Sequence, residues 1–239
     1  APIVSKIRRK KSIVIEDNDI TQTWIYGKFV DYVFCPRVLL NTKLTGVNNK
    51  KIIPFSGFKE DIYISNYKPD KFFLNKLPFN NYITVRPENI YASYMKNNIK
   101  SIVPDLIDRL SALGFNILYL PRYKVDNLYF SPKNNVYVPP QPLNGLDICY
   151  YSTAVLTGAG TFAREAACLG VPAVSFYAGK SLLAVDKKMI KDGWMFFSRD
   201  PEKIIDYIQT KKRRNPSLER SRQVKKEVLD KLKEVIENL

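Results

Sequence analysis

From Asn80 onward, short β-branched or aromatic runs alternate with segments of helical periodicity, and this alternation limits the fold more than any other feature of the chain. Tyr82 to Val85 reads as a strand. A helix is predicted next, because Ile102, Val103, Leu106, Ile107, Leu110 and Leu113 form one stripe, with Pro104 near its start and Gly114 as its stop. Strands are predicted at Asn116 to Leu120, Val136 to Val138 and Ala154 to Leu156. Thr161 to Leu169 is helical and closed by Gly170, Pro172 to Tyr177 is extended, and Trp194 to Ser198 is a last short strand. Asp200 and Pro201 then supply an N-cap and a first-turn proline for a helix through Ile208. Strands that alternate with helices join by right-handed crossovers, so the fold class is α/β with a parallel sheet covered on both faces.

The remaining sequence is less regular. Ser12 to Glu16, Asp31 to Phe34 and Lys51 to Pro54 read as strands, too few for a complete lobe. The expected division is a partial N-terminal α/β lobe (1–78), a complete Rossmann-like C-terminal lobe (79–215) and a C-terminal amphipathic helix (216–239). That helix carries Val224, Val228, Leu232, Val235 and Leu239 at three- and four-residue steps. It either packs on one lobe or braces the other.

Charge and composition narrow the chemistry. Lys and Arg number 38 against 23 acids, a formal net charge of +15, which favours anionic partners. The chain has no histidine, so neither imidazole acid–base catalysis nor imidazole metal ligation is available. Cys35, Cys149 and Cys168 have no metal-ligand spacing and form no disulfide framework; a cytoplasmic setting is expected, with Cys168 in the core. No zinc spacing, Walker A loop or nucleophile elbow occurs, so no metal or cofactor is expected. Basic clusters at Lys6 to Lys11 and Lys211 to Arg214 are solvated faces, or else contacts to an acidic membrane surface or RNA.

One segment carries most of the functional information. Leu156 to Pro172 reads L-T-G-A-G-T-F-A-R-E-A-A-C-L-G-V-P, a strand, a glycine-rich turn and a helix. Gly158 and Gly160 allow a sharp turn and a close backbone approach. A helix starting near Thr161 presents unpaired N–H groups and roughly half a unit of positive charge, suited to a phosphate. Glu165, one turn on, is placed to accept hydrogen bonds from ribose hydroxyls. The plain alternative is a βα turn whose glycines serve packing alone.

This phrase resembles the signature of the UDP-N-acetylglucosamine 2-epimerases, members of the GT-B superfamily. It is more similar still to an uncharacterised, mainly archaeal family with G-x-G-T-x-x-R-E-A-A-x-L-G-x-P. Thr84 to Asn89 (T-V-R-P-E-N) stands where the epimerases have T-x-H-R-x-E-N, and Leu120-Pro121-Arg122 stands where they carry a proline and a histidine. Gln141 to Asn144 falls where the relatives have a P-L turn leading into the helix before the signature. The resemblance implies a GT-B-like fold and a nucleotide-sugar ligand, UDP-linked in the resembling epimerases. It implies the diphosphate over Gly160 and Thr161, the ribose against Glu165, Arg86 near the diphosphate or sugar, and Gly158 and Ala159 in the same nucleotide-sugar-binding turn. More loosely, Ile13 to Asn18 and Phe58 to Glu60 resemble the later part of the relatives' N-terminal lobe, whose first strands and helices would then be missing. Asp17 and Glu60 become candidates for the cleft, with Arg122; otherwise Asp17 is a loop cap and Glu60 a solvated turn residue.

The sequence departs from the epimerase pattern at Ala159 and Thr161 and at both histidine positions. Epimerase chemistry is therefore not expected. The expected function is transfer of a sugar from a nucleotide diphosphate donor, with a lipid-phosphate acceptor at an acidic membrane surface as one partner. The alternative is a non-catalytic nucleotide, RNA or membrane-surface binding protein that kept the pocket.

Overall fold

The computed structural model describes residues 1–42, 44–89, 100–129, 133–216 and 218–238. The chain folds into two compact units. One comprises residues 1–66, 183–188 and the C-terminal helix; the other comprises residues 67–182 and 189–216.

In chain order the elements begin with α1 (Pro2–Ile7), β1 (Ile13–Ile15), β2 (Tyr32–Pro36), β3 (Ile52–Phe55) and α2 (Lys59–Ile64). The second unit opens with β4 (Ile83–Arg86), α3 (Val103–Ala112), β5 (Ile117–Tyr119), β6 (Val136–Tyr137) and α4 (Gly145–Tyr151). It continues with β7 (Ala154–Thr157), α5 (Gly160–Cys168) and β8 (Ala173–Ser175). The chain then runs through α6 (Ala184–Lys191), β9 (Met195–Phe197), α7 (Pro201–Thr210) and α8 (Leu218–Glu237).

The first unit holds a three-stranded parallel sheet in the order β1-β2-β3. Phe34 and Phe55 are buried there against Val224, Val228 and Val235, with Leu232 alongside, so the apolar stripe of α8 completes this core. The sequence left open whether this helix would stay with one lobe or brace the other; it packs on α2 and β3 of the N-terminal unit. Leu239, predicted on the same stripe, lies outside the described residues.

The second unit is built on six parallel strands in the order β6-β5-β4-β7-β8-β9. The chain starts in the middle, winds outward to β6, then returns to β7 beside β4 and winds the other way. This is the doubly wound order, with its switch point between β4 and β7, where crevices form outside the carboxyl ends of the strands. One face of the sheet is covered by α3 and α7, whose Leu106, Ile107, Leu110 and Ile204 bury against Ile83, Val85 and Leu156. On the other, Phe73, Tyr82, Leu118, Leu120 and Ile148 form a second cluster.

Every strand predicted from the sequence has a counterpart here, as do the three helices predicted in this lobe. Their ends follow the expected chemistry. The Asp200 carboxylate accepts the Glu202 N–H at 3.0 Å, and Asn144 caps α4 by accepting from Leu146 and Asp147. Gly114 and Gly170 both take positive φ just beyond a helix end. The helices α1, α2 and α6 are additions to the predicted elements, while α4 follows the Pro-Leu turn as the resemblance implied.

Candidate functional site

At the switch point the register pairs Arg86, the last residue of β4, with Thr157, the last residue of β7. The Gly158 N–H donates to the Arg86 carbonyl at 3.1 Å, so the ladder continues one step into the glycine turn. Thr157 then uses its hydroxyl to accept the Ala159 N–H at 2.9 Å, turning the chain toward α5. Ala159 occupies the N-cap position of α5 and provides no side-chain cap, and the first turn holds no acidic residue. The leading N–H groups of α5 are thus left for some other acceptor.

These residues line a cleft of about 720 Å³ together with Arg86, Leu120, Pro121, Arg122, the Pro139–Leu143 loop, Phe162, Glu165 and Tyr177. Arg86 is half-buried, and its guanidinium lies 5.8 Å from the centre of the Phe162 ring. Its pKa is lowered from the ordinary arginine value, first by burial and second by the charge of Arg122; the Glu165 carboxylate acts the other way. Arginine remains protonated at any ordinary pH despite such a shift. The cleft therefore brings together two like charges and a helix N-terminus, with Glu165 as a partial counter-charge.

Each predicted residue can now be located. Arg86, Gly158, Ala159, Gly160, Thr161, Glu165 and Arg122 all border this one cleft. Arg122 also has a positional role: its Nε donates to the Pro87 carbonyl at 2.9 Å, and its backbone N–H donates to Asp126. Gly158 has a packing reason for being glycine. A Cβ there would fall 2.5 Å from Glu88 Cα and 2.8 Å from Glu88 N, a distance no side chain can adopt without moving backbone.

Asp17 and Glu60 belong to the N-terminal unit. Asp17 pairs with Lys59 at 2.8 Å. The reading of Glu60 as a solvated turn residue is corrected: it sits on α2 and is only 1% exposed. The cluster at Lys211 to Arg214 also needs correction as a plain solvated face. Arg213 lies over Tyr150 and donates to its carbonyl, while Arg214 lies over Trp194 and donates to the Ala167 carbonyl at 2.6 Å. Cys168 is buried, as expected. Burial pushes the Cys149 thiol well up, with Glu165 adding to the effect, so Cys149 is an inert core group.

Sequence reasoning did not single out Phe162, Tyr177, Pro139 or Pro140, which also line the cleft. Nor did it find Glu88 and Arg199, whose ion pair at 2.9 Å lies just behind the glycine turn. Glu88 falls inside the T-V-R-P-E-N phrase, which was the available signal; Arg199 had none.

Comparison with known proteins agrees with this geometry. The family described as "Protein of unknown function (DUF354)" matches residues 10–237. An uncharacterized protein of Methanocaldococcus jannaschii is 33% identical over 114 residues, 47% of this chain and 33% of that protein's length. The matched stretch thus spans about a third of that relative. Among solved structures, the UDP-N-acetylglucosamine 2-epimerase from Rickettsia bellii superposes with a TM-score of 0.68 at 14% identity, covering 99% of this chain and 70% of that one. The UDP-GlcNAc 2-epimerase from Neisseria meningitidis, bound to UDP-GlcNAc, gives 0.66 at 14% identity, covering 97% and 72%. The enzyme from M. jannaschii, in complex with UDP-GlcNAc and UDP, gives 0.62 at 14% identity, covering 90% and 67%. At such identities the likeness shows the fold: α/β, with parallel sheets of the GT-B kind. Among the described residues no helix is long and apolar enough to cross a membrane.

Proposed function

The chain belongs to the DUF354 family, and we propose that it binds a nucleotide sugar in the cleft at the β4–β7 switch point and transfers the sugar to an acceptor. The observation that carries this reading is the convergence of Arg86, Arg122 and the uncapped start of α5 on one cleft. Arg86, half-buried and facing the charge of Arg122, holds its own charge at a cost that an anion bound beside it relieves. A diphosphate fits this demand: it accepts N–H donors from the helix start and forked hydrogen bonds from arginine. Glu165, on the next turn of α5, is suited to ribose hydroxyls rather than phosphate. The solved neighbours that hold UDP or UDP-GlcNAc make UDP the first nucleotide to test.

As chemistry, the site is built to stabilise a leaving diphosphate. Breaking a glycosidic bond to the donor phosphate pushes negative charge onto the departing oxygen, and fixed positive groups lower that barrier without a proton-transfer residue. Epimerisation at C2 makes a different demand, because a proton must leave carbon. The chain has no histidine, and Arg86 and Arg122 cannot serve as bases near neutral pH. We therefore expect no UDP-N-acetylglucosamine 2-epimerase activity. An acceptor carrying a lipid phosphate at an acidic surface would suit the net charge of +15.

A thermal-shift screen of nucleotide sugars tests the reading. Stabilisation by UDP-linked sugars, together with slow release of UDP on incubation, is expected. Incubation in deuterated water with UDP-N-acetylglucosamine should leave C2 unlabelled by NMR; label that grows in proportion to protein would show the chain to be an epimerase. Binding with no release of UDP in the presence of any acceptor would mark a non-catalytic binding protein.

A further inference from the structure

Glu88 is 1% exposed, and its carboxylate is surrounded by donors. Oε2 accepts the Ser101 hydroxyl at 2.6 Å, and Oε1 accepts Arg199 at 2.9 Å. Arg199 reaches this point from just beyond β9, at the far edge of the sheet. On the way the same nitrogen donates to the Phe176 carbonyl after β8 at 2.7 Å, and its second nitrogen donates to the Lys100 carbonyl before α3 at 2.8 Å. In the strand order β4-β7-β8-β9, the pair therefore spans the carboxyl end of β7, the strand that leads into the glycine turn.

The glycine turn rests directly on Glu88. The space a Gly158 side chain would need is filled by Glu88 Cα at 2.5 Å and Glu88 Cγ at 2.6 Å. Residue 87 is held from the other side, where Arg122 donates to the Pro87 carbonyl. One short stretch, Arg86 to Glu88, thus has its first side chain in the cleft and its third clamped under the turn.

We propose that Glu88 and Arg199 are positioning residues: together they set the conformation of the Gly158 turn, and through it the direction in which the first N–H groups of α5 face the ligand. This inference rests on the nucleotide reading of the cleft for its functional consequence. Neither residue lines the cleft. A carboxylate as deeply buried as Glu88, paired with a part-buried arginine, is costly to assemble compared with apolar packing, so its use here is to fix one geometry.

The test uses the whole chain with Glu88→Gln, and Arg199→Lys as the milder variant that keeps the charge but not the fork. Two quantities are read: amide hydrogen exchange in Thr157 to Phe162, and UDP affinity by calorimetry. In Glu88→Gln we expect exchange in that segment to rise and affinity to fall, each by about tenfold, the scale of one charge-assisted hydrogen bond. Arg199→Lys should fall between this variant and the wild type, and carries the same readouts if Glu88→Gln does not fold. Variants that melt at lower temperature but keep wild-type exchange in Thr157 to Phe162 would reduce the pair to ordinary core packing and overturn the proposal. Wild-type chain that fails to bind UDP would overturn the nucleotide reading, while the exchange measurement, which needs no ligand, still decides the clamp.

Discussion

Two regions of the molecule use the same parts, a glycine turn leading into a helix beside a buried carboxylate, and they differ in what happens to the helix start. At Gly57, which has φ +73°, the chain turns into α2, and the Asp61 carboxylate accepts the Phe58 N–H at 2.9 Å. Asp61 is fully buried and also accepts Ser221 at 2.8 Å and Arg220 at 2.5 Å from α8. There one carboxylate takes up the Phe58 N–H at the α2 start and ties it to Ser221 and Arg220 of α8. At Gly158 the carboxylate of Glu88 is equally saturated, but it lies behind the turn, and the start of α5 faces the cleft uncapped. The lesson is that glycine spacing alone does not separate a structural turn from a binding turn. The separation comes from whether the N-terminal N–H groups already have an acceptor.

The largest effect should come from the closed turn. Asp61→Ala leaves Arg220 without its buried partner and removes the α2 cap, and should cost about 3–5 kcal/mol in urea denaturation. Wild-type stability in this variant would mean that the two turns do not differ as described. Next, Gly158→Ala forces a Cβ into the Glu88 backbone and should destabilise by about 1–3 kcal/mol while also weakening UDP binding. Loss of stability with unchanged binding would detach the turn from the site. Glu165→Ala should leave the melting temperature near that of wild type and weaken UDP binding by about 1–3 kcal/mol, the value of charged hydrogen bonds to ribose. Equal affinity by calorimetry would return Glu165 to a purely structural role. The smallest and most pointed change is Ala159→Asp, which makes the open turn resemble the closed one. It should stabilise the ligand-free protein by up to about 1 kcal/mol, as N-caps do, and should weaken UDP binding because the new carboxylate competes for the same N–H groups. A variant that gains stability and binds UDP as before would show that the α5 start is not where the anion sits.

One side of this contrast, the turn at Gly158, was legible in the sequence; the rest was hidden for two physical reasons. The inner strands β4, β5, β7 and β8 of the larger sheet announce themselves as apolar runs and are buried as those runs require, while the edge strands β6 and β9 are only partly buried. The turn at Gly158 to Thr161 was legible because strand, glycines and helix are contiguous. By contrast α2 and α4 hold six and seven residues, too short for a periodic stripe to stand out. Without α2 in view, Glu60 read as a solvated turn residue, and the helix it sits on buries it. The two carboxylate–arginine pairs were invisible for another reason. Glu88 and Arg199 are 111 positions apart, and Asp61 and Arg220 are 159 apart, so only the folded chain reveals either partnership.

The central claim, that the β4–β7 cleft takes a nucleoside diphosphate through Arg86 and the start of α5, is tested most directly by calorimetric titration of UDP into the wild type and Arg86→Ala. The account predicts saturable one-to-one binding by the wild type and about thirtyfold weaker binding by Arg86→Ala, whose melting temperature stays close to wild type, the size expected for losing a charge-assisted contact to phosphate. Equal affinity in the two proteins, or no saturable heat in the wild type, would contradict it.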